Sequence, residues 1–264
     1  MAKTKRLGDL LVEAGLVTRL DIDQALQAQH IFGDRLGTNL VEMGVIDGDT
    51  LAGFLAQQYG VERVSLGELQ SIPKEILEVV PSKAAHRLCI LPIHKAESLL
   101  TIAMMDPSDN HILERIEKNV GMKIQAKVAT EVEIRYFLEK YYGIRREMRH
   151  IRLMNKILEK RNRPDQGTAE TDLLTSQLDR FISPTEGIKY FFDNIASLEK
   201  IPSAIEVGDL TKFDLTPELT FLLLQIDGLS NLHDFFSVSP FPRVTTLRAI
   251  SYLAKSGLIR FEEP

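Results

Sequence analysis

Cysteine is almost absent: Cys89 is the only one in 264 residues. That excludes a disulfide framework and a zinc site built on thiolates. Histidine does not fill the gap, because the six His residues (30, 86, 94, 111, 150 and 233) include no pair at metal-ligand spacing. Long apolar runs are missing too. The strongest, FLLL at 221–224 with Ile226 nearby, is far too short to span a bilayer, so no membrane insertion is expected. The Met-Ala-Lys start leads into charges rather than the apolar core of a signal peptide, which points to a cytoplasmic, reduced protein. There is no basic excess. Lys+Arg number 32 against 37 Asp+Glu, a net charge of −5 that ill suits a protein coating nucleic acid. No nucleophile motif is readable, and no Ser/His/Asp arrangement can be assigned. The expected class is therefore non-enzymatic.

What is present is a repeat. RLGDLLVEAGLVTRLDIDQALQAQ (6–29) returns as RLGTNLVEMGVIDGDTLAGFLAQQ (35–58), with HIFGD as spacer and Arg35 in the place of Arg6. Nine positions of the unit are identical. Unrelated segments of average composition would share roughly one or two. Each copy reads as a helical hairpin. A short helix from about Gly8 to Ala14 is stopped by Gly15, and Thr18 can cap a longer helix ending near Gln29. In copy two, Asp47 can cap a helix that Gly60 closes.

The texture then changes. CILPI (89–93) and LLTIAMM (99–105) read as two strands around the turn HKAES, and KIQAKVA (123–129) as a third. Pro73 to Val80, Asn110 to Glu117, and a Thr130-capped stretch to Tyr142 read as helices. Residues 144–163 form a basic segment with eight Lys+Arg, two acids and a partial apolar stripe (Ile151, Met154, Leu158); this basic helix reads as a solvated connector rather than a phosphate site. RPDQGTAETD follows as a linker. The expected fold class is α+β. Tandem helical hairpins (1–61) pack with a small α+β half (62–143). A basic helix and linker (144–170) then lead to a mostly α C-terminal domain (171–264), whose end, about 208–264, is winged-helix-like.

The repeated residue types imply a ligand. Arg suits bidentate contact with guanine O6 and N7. The glycine after it admits a ligand to the backbone, and the helix start would offer free N–H groups to a phosphate. Leu and Val would supply a surface for a purine face, and Gln29 and Gln58 add donors and acceptors. Two copies suit a ligand with two purines and two phosphates. The doubled unit is similar to the MshEN domain, the N-terminal domain of type II secretion and type IV pilus assembly ATPases. Its pattern is close to RLGxxLxxxGxxxxxxLxxxLxxQ, twice. Ile22 stands for the patterned Leu in copy one, and AMMDP (103–107) resembles the family's strand-to-helix corner. Many members bind the bacterial second messenger cyclic di-GMP, the ligand the resemblance implies here, with no other cofactor and no metal. It implies polar contacts from Arg6, Arg35, Gln29 and Gln58. The surface would come from Leu7, Gly8, Leu11, Leu26, Leu36, Gly37, Leu40 and Leu55, with Asp106 as a further contact.

The secretion ATPases continue into a domain with a Walker A loop, GxxxxGK[ST]. No such sequence occurs here; the nearest fragment, PTEGIK (184–189), lacks the first glycine and the Ser/Thr. The reading is a cyclic di-GMP receptor that couples nucleotide to a protein partner, in secretion, pilus or motility control. The alternatives are a nucleotide-responsive transcription regulator and a ligand-free scaffold. Residues 171–264 carry 8 Lys+Arg against 13 Asp+Glu, which argues against DNA, although Arg243, Arg248 and Lys255 mark a candidate recognition helix.

Overall fold

The computed structural model describes residues 5–143, 150, 153–155, 157–158, 177–206 and 210–262. Most of the basic segment and the whole of RPDQGTAETD lie outside the described residues. The chain divides into two compact units. Unit 1 comprises Met1–Arg19 and Arg35–Leu158; unit 2 comprises Leu20–Asp34 and Glu159–Pro264.

Unit 1 begins with α1 (Leu7–Glu13) and resumes with α3 (Leu36–Glu42) and α4 (Gly48–Tyr59). Asp47 caps α4 by accepting from Thr50 N at 2.7 Å, and Gly60 closes it at φ 65°, as the residue types imply. Three short helices follow: α5 (Leu66–Gln70), α6 (Lys74–Leu77) and α7 (Ser82–Leu88). The single helix expected over 73–80 is thus only α6, and Pro81 separates it from α7. α5 starts on a Ser65/Glu68 capping box.

The sheet has order β1-β2-β3, with β1 (Ile90–Ala96) antiparallel and β3 (Lys123–Val128) parallel to the central β2 (Leu99–Met104). The hairpin turn is tighter than HKAES, because β1 runs on to Ala96. α8 (Asn110–Val120) makes the crossover that a parallel pair requires. β2 is buried along its length after Leu99, which explains an apolar run interrupted only by Thr101. α9 (Glu131–Tyr142) starts on a Thr130/Glu133 capping box and ends at Gly143, φ 67°. Tyr141 and Tyr142 hydroxyls donate to the Leu69 and Leu77 carbonyls at 2.8 and 2.9 Å, tying α9 to α5 and α6. Burial pushes the Tyr142 phenol up to about 12. Leu153 and Met154 of the basic segment are buried in this core, with Ile157 and Leu158 beside them. The described apolar residues of the segment thus form a packing face.

Unit 2 takes nearly all of α2 (Arg19–Phe32), the long helix of copy one. It runs past Gln29 to Phe32, where Gly33 (φ 75°) stops it. Ile31 and Phe32 pack on the unit 2 core; Phe32 meets Phe236 edge-on at 5.1 Å, and Gln24 Nε2 donates to Thr185 Oγ1 at 2.8 Å. The remaining elements are α10 (Pro184–Tyr190), a π-helical turn (Phe191–Ile195), β4 (Ile201–Ala204) and a 3₁₀ turn (Leu210–Lys212). α11 (Pro217–Leu224), α12 (Leu232–Val238), α13 (Arg243–Lys255) and β5 (Ile259–Glu262) complete it. PTEGIK is the start of α10, capped by Ser183 and Glu186. Three helices and a strand occur in the expected order, and β5 pairs antiparallel with β4, upstream of those helices.

α13 is the central helix of unit 2, buried from Arg243 through Ser251. Arg248 is 1% exposed, donating to the Ile182 carbonyl at 3.1 and 2.7 Å and to Asp179 at 2.6 Å. Arg243 donates to the Phe32 carbonyl at 3.3 Å and lies over the Phe32 ring. Both arginines marked for DNA are therefore spent inside the unit, which corrects the recognition-helix reading. A helix enclosed by its own fold has no face to lay in a groove.

Candidate functional site

The duplication in sequence is a duplication of backbone. Arg6 and Arg35 both precede their short helices in extended conformation (φ −72° and −87°), and neither side chain caps the helix. Both helices end in the same way. Gly15 N and Gly44 N each return at 3.0 Å to Val12 O and Val41 O, and both glycines are left-handed at φ 69° and 75°. The long helices also start at equivalent positions of the repeat, Arg19 and Gly48. Within unit 1, α1 packs across on α4, the long helix of the other copy, so the repeats interlock.

A polar cluster gathers where α3 begins and α4 ends. Arg35 Nη1 lies 3.9 Å from Asp106 Oδ2, with both side chains more than a third exposed. Such a pair is worth at most about 1 kcal/mol, so the guanidinium is readily exchanged to another acceptor. Tyr59 stands with them, near enough for its phenol to feel both charges. Burial raises its phenol, the Asp106 charge adds to that, and Arg35 opposes it. On the preceding residue, Gln58 Oε1 is buried and has no hydrogen-bond partner among the described residues. A buried orphan acceptor of this kind costs free energy until a donor reaches it.

Beneath this cluster, Glu131 supplies the cap that Arg35 cannot. Its Oε2 accepts from Arg35 N at 3.1 Å and Thr38 Oγ1 at 2.9 Å, while Oε1 takes Arg135 Nε and Nη2 at 3.1 and 2.9 Å. Glu131 thus takes one of the N–H groups at the start of α3, that of Arg35, and places a buried carboxylate beside the others. Thr38 differs from Asp9 at the same repeat position because only Thr38 makes this bond.

Of the residues the sequence singled out, Arg35 and Asp106 come together, and Arg6 is exposed. Leu7, Gly8, Leu36, Leu55 and Gln58 are half-buried. Leu11 and Leu40 are wholly buried, and a Cβ on Gly37 would lie 2.5 Å from Leu51 Cδ1. All three serve packing in this structure. Gly37 is glycine so that α3 can approach α4. Leu26 (exposed) and Gln29 (half-buried) are on α2, in unit 2. Tyr59 was missed, although the sequence held a signal: the equivalent position of copy one is His30, another aromatic ring next to the repeated Gln.

Known proteins resemble part of this chain. Residues 59–148 match the model of the MshEN domain, from Tyr59 through the α+β half and beyond, without the doubled RLG unit. Type IV pilus assembly ATPase PilB of Myxococcus xanthus is 36% identical over 138 residues, 52% of this chain and 24% of that protein. PilB of Thermus thermophilus is 28% identical over 140 residues, 52% of this chain and 16% of its own length. These alignments are longer than the family match. A solved structure of MshE with "cdg" shares 33% identity, covering 52% of this chain and 99% of that one, with a TM-score of 0.43. The chain thus spans a quarter or less of the length of these curated relatives. No described helix is long and apolar enough to cross a membrane. With its α+β architecture and its similarity to the pilus ATPases over about half its length, the chain carries an MshEN domain.

Proposed function

We propose that this protein is a receptor for cyclic di-GMP that passes nucleotide binding on to a partner protein, in secretion, pilus or motility control, and catalyses nothing itself. The observation that carries the reading is the arrangement at Arg35. A half-exposed guanidinium is held only by a loose 3.9 Å pair with Asp106, Tyr59 is beside it, and Gln58 has an orphaned buried carbonyl oxygen. Guanine complements this set. Its O6 and N7 accept from an arginine fork, its amino N–H groups can donate to an amide oxygen, and its face can stack on a phenol ring. Arg6, Gln29, Leu7, Gly8 and Leu26 would be the corresponding contacts from copy one, and Leu36 and Leu55 the apolar ones from copy two. The family match is to the MshEN domain, which supports a binding role. The change on binding is a shift between arrangements of differing affinity for the ligand.

Titration calorimetry of the whole chain with cyclic di-GMP tests this. Binding is expected, and Arg35→Ala and Arg6→Ala should each weaken it about 5- to 100-fold, the worth of one bidentate guanine contact. Absence of heat up to high micromolar ligand, or a double variant that binds as the parent does, would sink the proposal.

A further inference from the structure

α11 is apolar on both sides, as a helix covered all round should be, yet it is covered on one side only. Leu219, Leu222 and Leu223 are buried, while Phe221 and Leu224 on the other side are 44% and 75% exposed. The following turn puts out Leu229 at 81% exposure, and α12 ends on Val238 at 67%. Phe221 and Val238 line a cleft of about 250 Å³. Two carboxylates, Asp227 and Asp234, also line it, and among the described residues no Lys or Arg does. Asp227 is held by Leu229 N, Ser230 N and Ser230 Oγ at 2.9, 2.8 and 2.8 Å. These bonds lower its carboxyl to about 2, so it is anionic at any cellular pH. Asp234 is exposed, with His233 Nδ1 at 3.5 Å.

An exposed apolar patch with a polar rim marks a docking surface. Its charge decides the occupant. A second copy pairing through the same patch would bring identical carboxylates face to face, and nucleic acid or an anionic bilayer would meet like charge. We propose that this cleft docks a basic amphipathic segment of a partner protein, which sets an aliphatic or aromatic side chain against Phe221 and Val238 and a Lys or Arg against Asp227 and Asp234. The surface does not depend on the nucleotide reading, since every residue in it belongs to unit 2 and none to the repeats.

Fluorescence anisotropy on the full chain, without nucleotide, tests it with a labelled amphipathic Leu/Lys helix and its Leu/Glu counterpart as probes. The Leu/Lys peptide is expected to bind at least tenfold more tightly. The pair Asp227→Asn and Asp234→Asn should weaken it up to about tenfold, the worth of two exposed charge pairs. Asn at 227 keeps the oxygen that accepts the two backbone hydrogen bonds of the turn. Phe221→Ser with Val238→Ser should cost about tenfold or more through lost apolar contact, and circular dichroism should show both double variants folded. Binding that neither pair of substitutions alters would overturn the proposal. Equal affinity for the Leu/Glu peptide would do so too. Sedimentation equilibrium showing a dimer that the Phe221/Val238 pair of substitutions dissolves would instead give the face to a second copy. A failure to bind cyclic di-GMP would leave this result untouched.

Discussion

Arg248→Met separates an architectural arginine from a surface one. The substitution keeps most of the apolar stem, which packs against Gly187, where a Cβ would lie 2.9 Å from Arg248 Cγ. It removes the donors to the Ile182 carbonyl (3.1 and 2.7 Å) and to Asp179 (2.6 Å). Ile182 is buried, so its carbonyl loses those charge-assisted partners, a cost of about 1–3 kcal/mol. Asp179 is 59% exposed and can be rehydrated, so the ion pair adds at most about 1 kcal/mol. Methionine also escapes the burial that pulls the guanidinium below its usual pKa against the opposing pull of Asp179, and this returns part of the loss. The net expectation is about 2 kcal/mol of destabilisation. For a domain of this size that lowers Tm by about 8–16 °C. Calorimetry should show one transition moving down, and hydrogen–deuterium exchange should place the loss in α10 and α13. Arg248→Lys should fall between, since a point charge cannot reproduce the two-nitrogen contact to one carbonyl. Asp179→Asn should cost well under about 1 kcal/mol. An Arg248→Met protein melting within about 2 °C of the parent would refute the reasoning, as would a specific loss of DNA affinity with stability unchanged.

Two further outcomes follow from the geometry. Gly37→Ala should destabilise unit 1 by about 1 kcal/mol in denaturant melts. The 2.5 Å approach to Leu51 outweighs the helix-propensity gain of about 1 kcal/mol. Gly53→Ala, with open space around its Cβ, should stabilise by about that gain; a shared sign for the two would refute the packing account. The turn at 227–230 should loosen in acid. Asp227 is depressed from 3.8 to about 2, so its contribution is full above about pH 4 and lost as pH falls through about 2. Amide exchange at Leu229 and Ser230 should rise across that window in the parent and stay flat in Asp227→Asn.

Sequence alone determined what acts over a few residues. The Thr130/Glu133 box, the Asp47 cap and the left-handed glycines 15, 44, 60 and 143 were readable because capping and backbone freedom are settled within one helical turn. The repeat was readable because it needs only self-comparison, and with it Arg35 and, through the family resemblance, Asp106. Tertiary structure decided which partner each apolar face and each buried polar group meets. Copy one and copy two are identical at nine positions, yet α2 carries Phe32 onto Phe236 in unit 2 while α4 stays in unit 1. Glu131 reaches 96 residues back to cap α3, and Arg248 reaches 66 residues back to Ile182. Periodicity reports that a face is to be covered and residue type that a charge must be paired. Neither names the partner, because that choice is made by contacts between residues far apart in the chain, each too small to be read from local sequence and decisive only in sum.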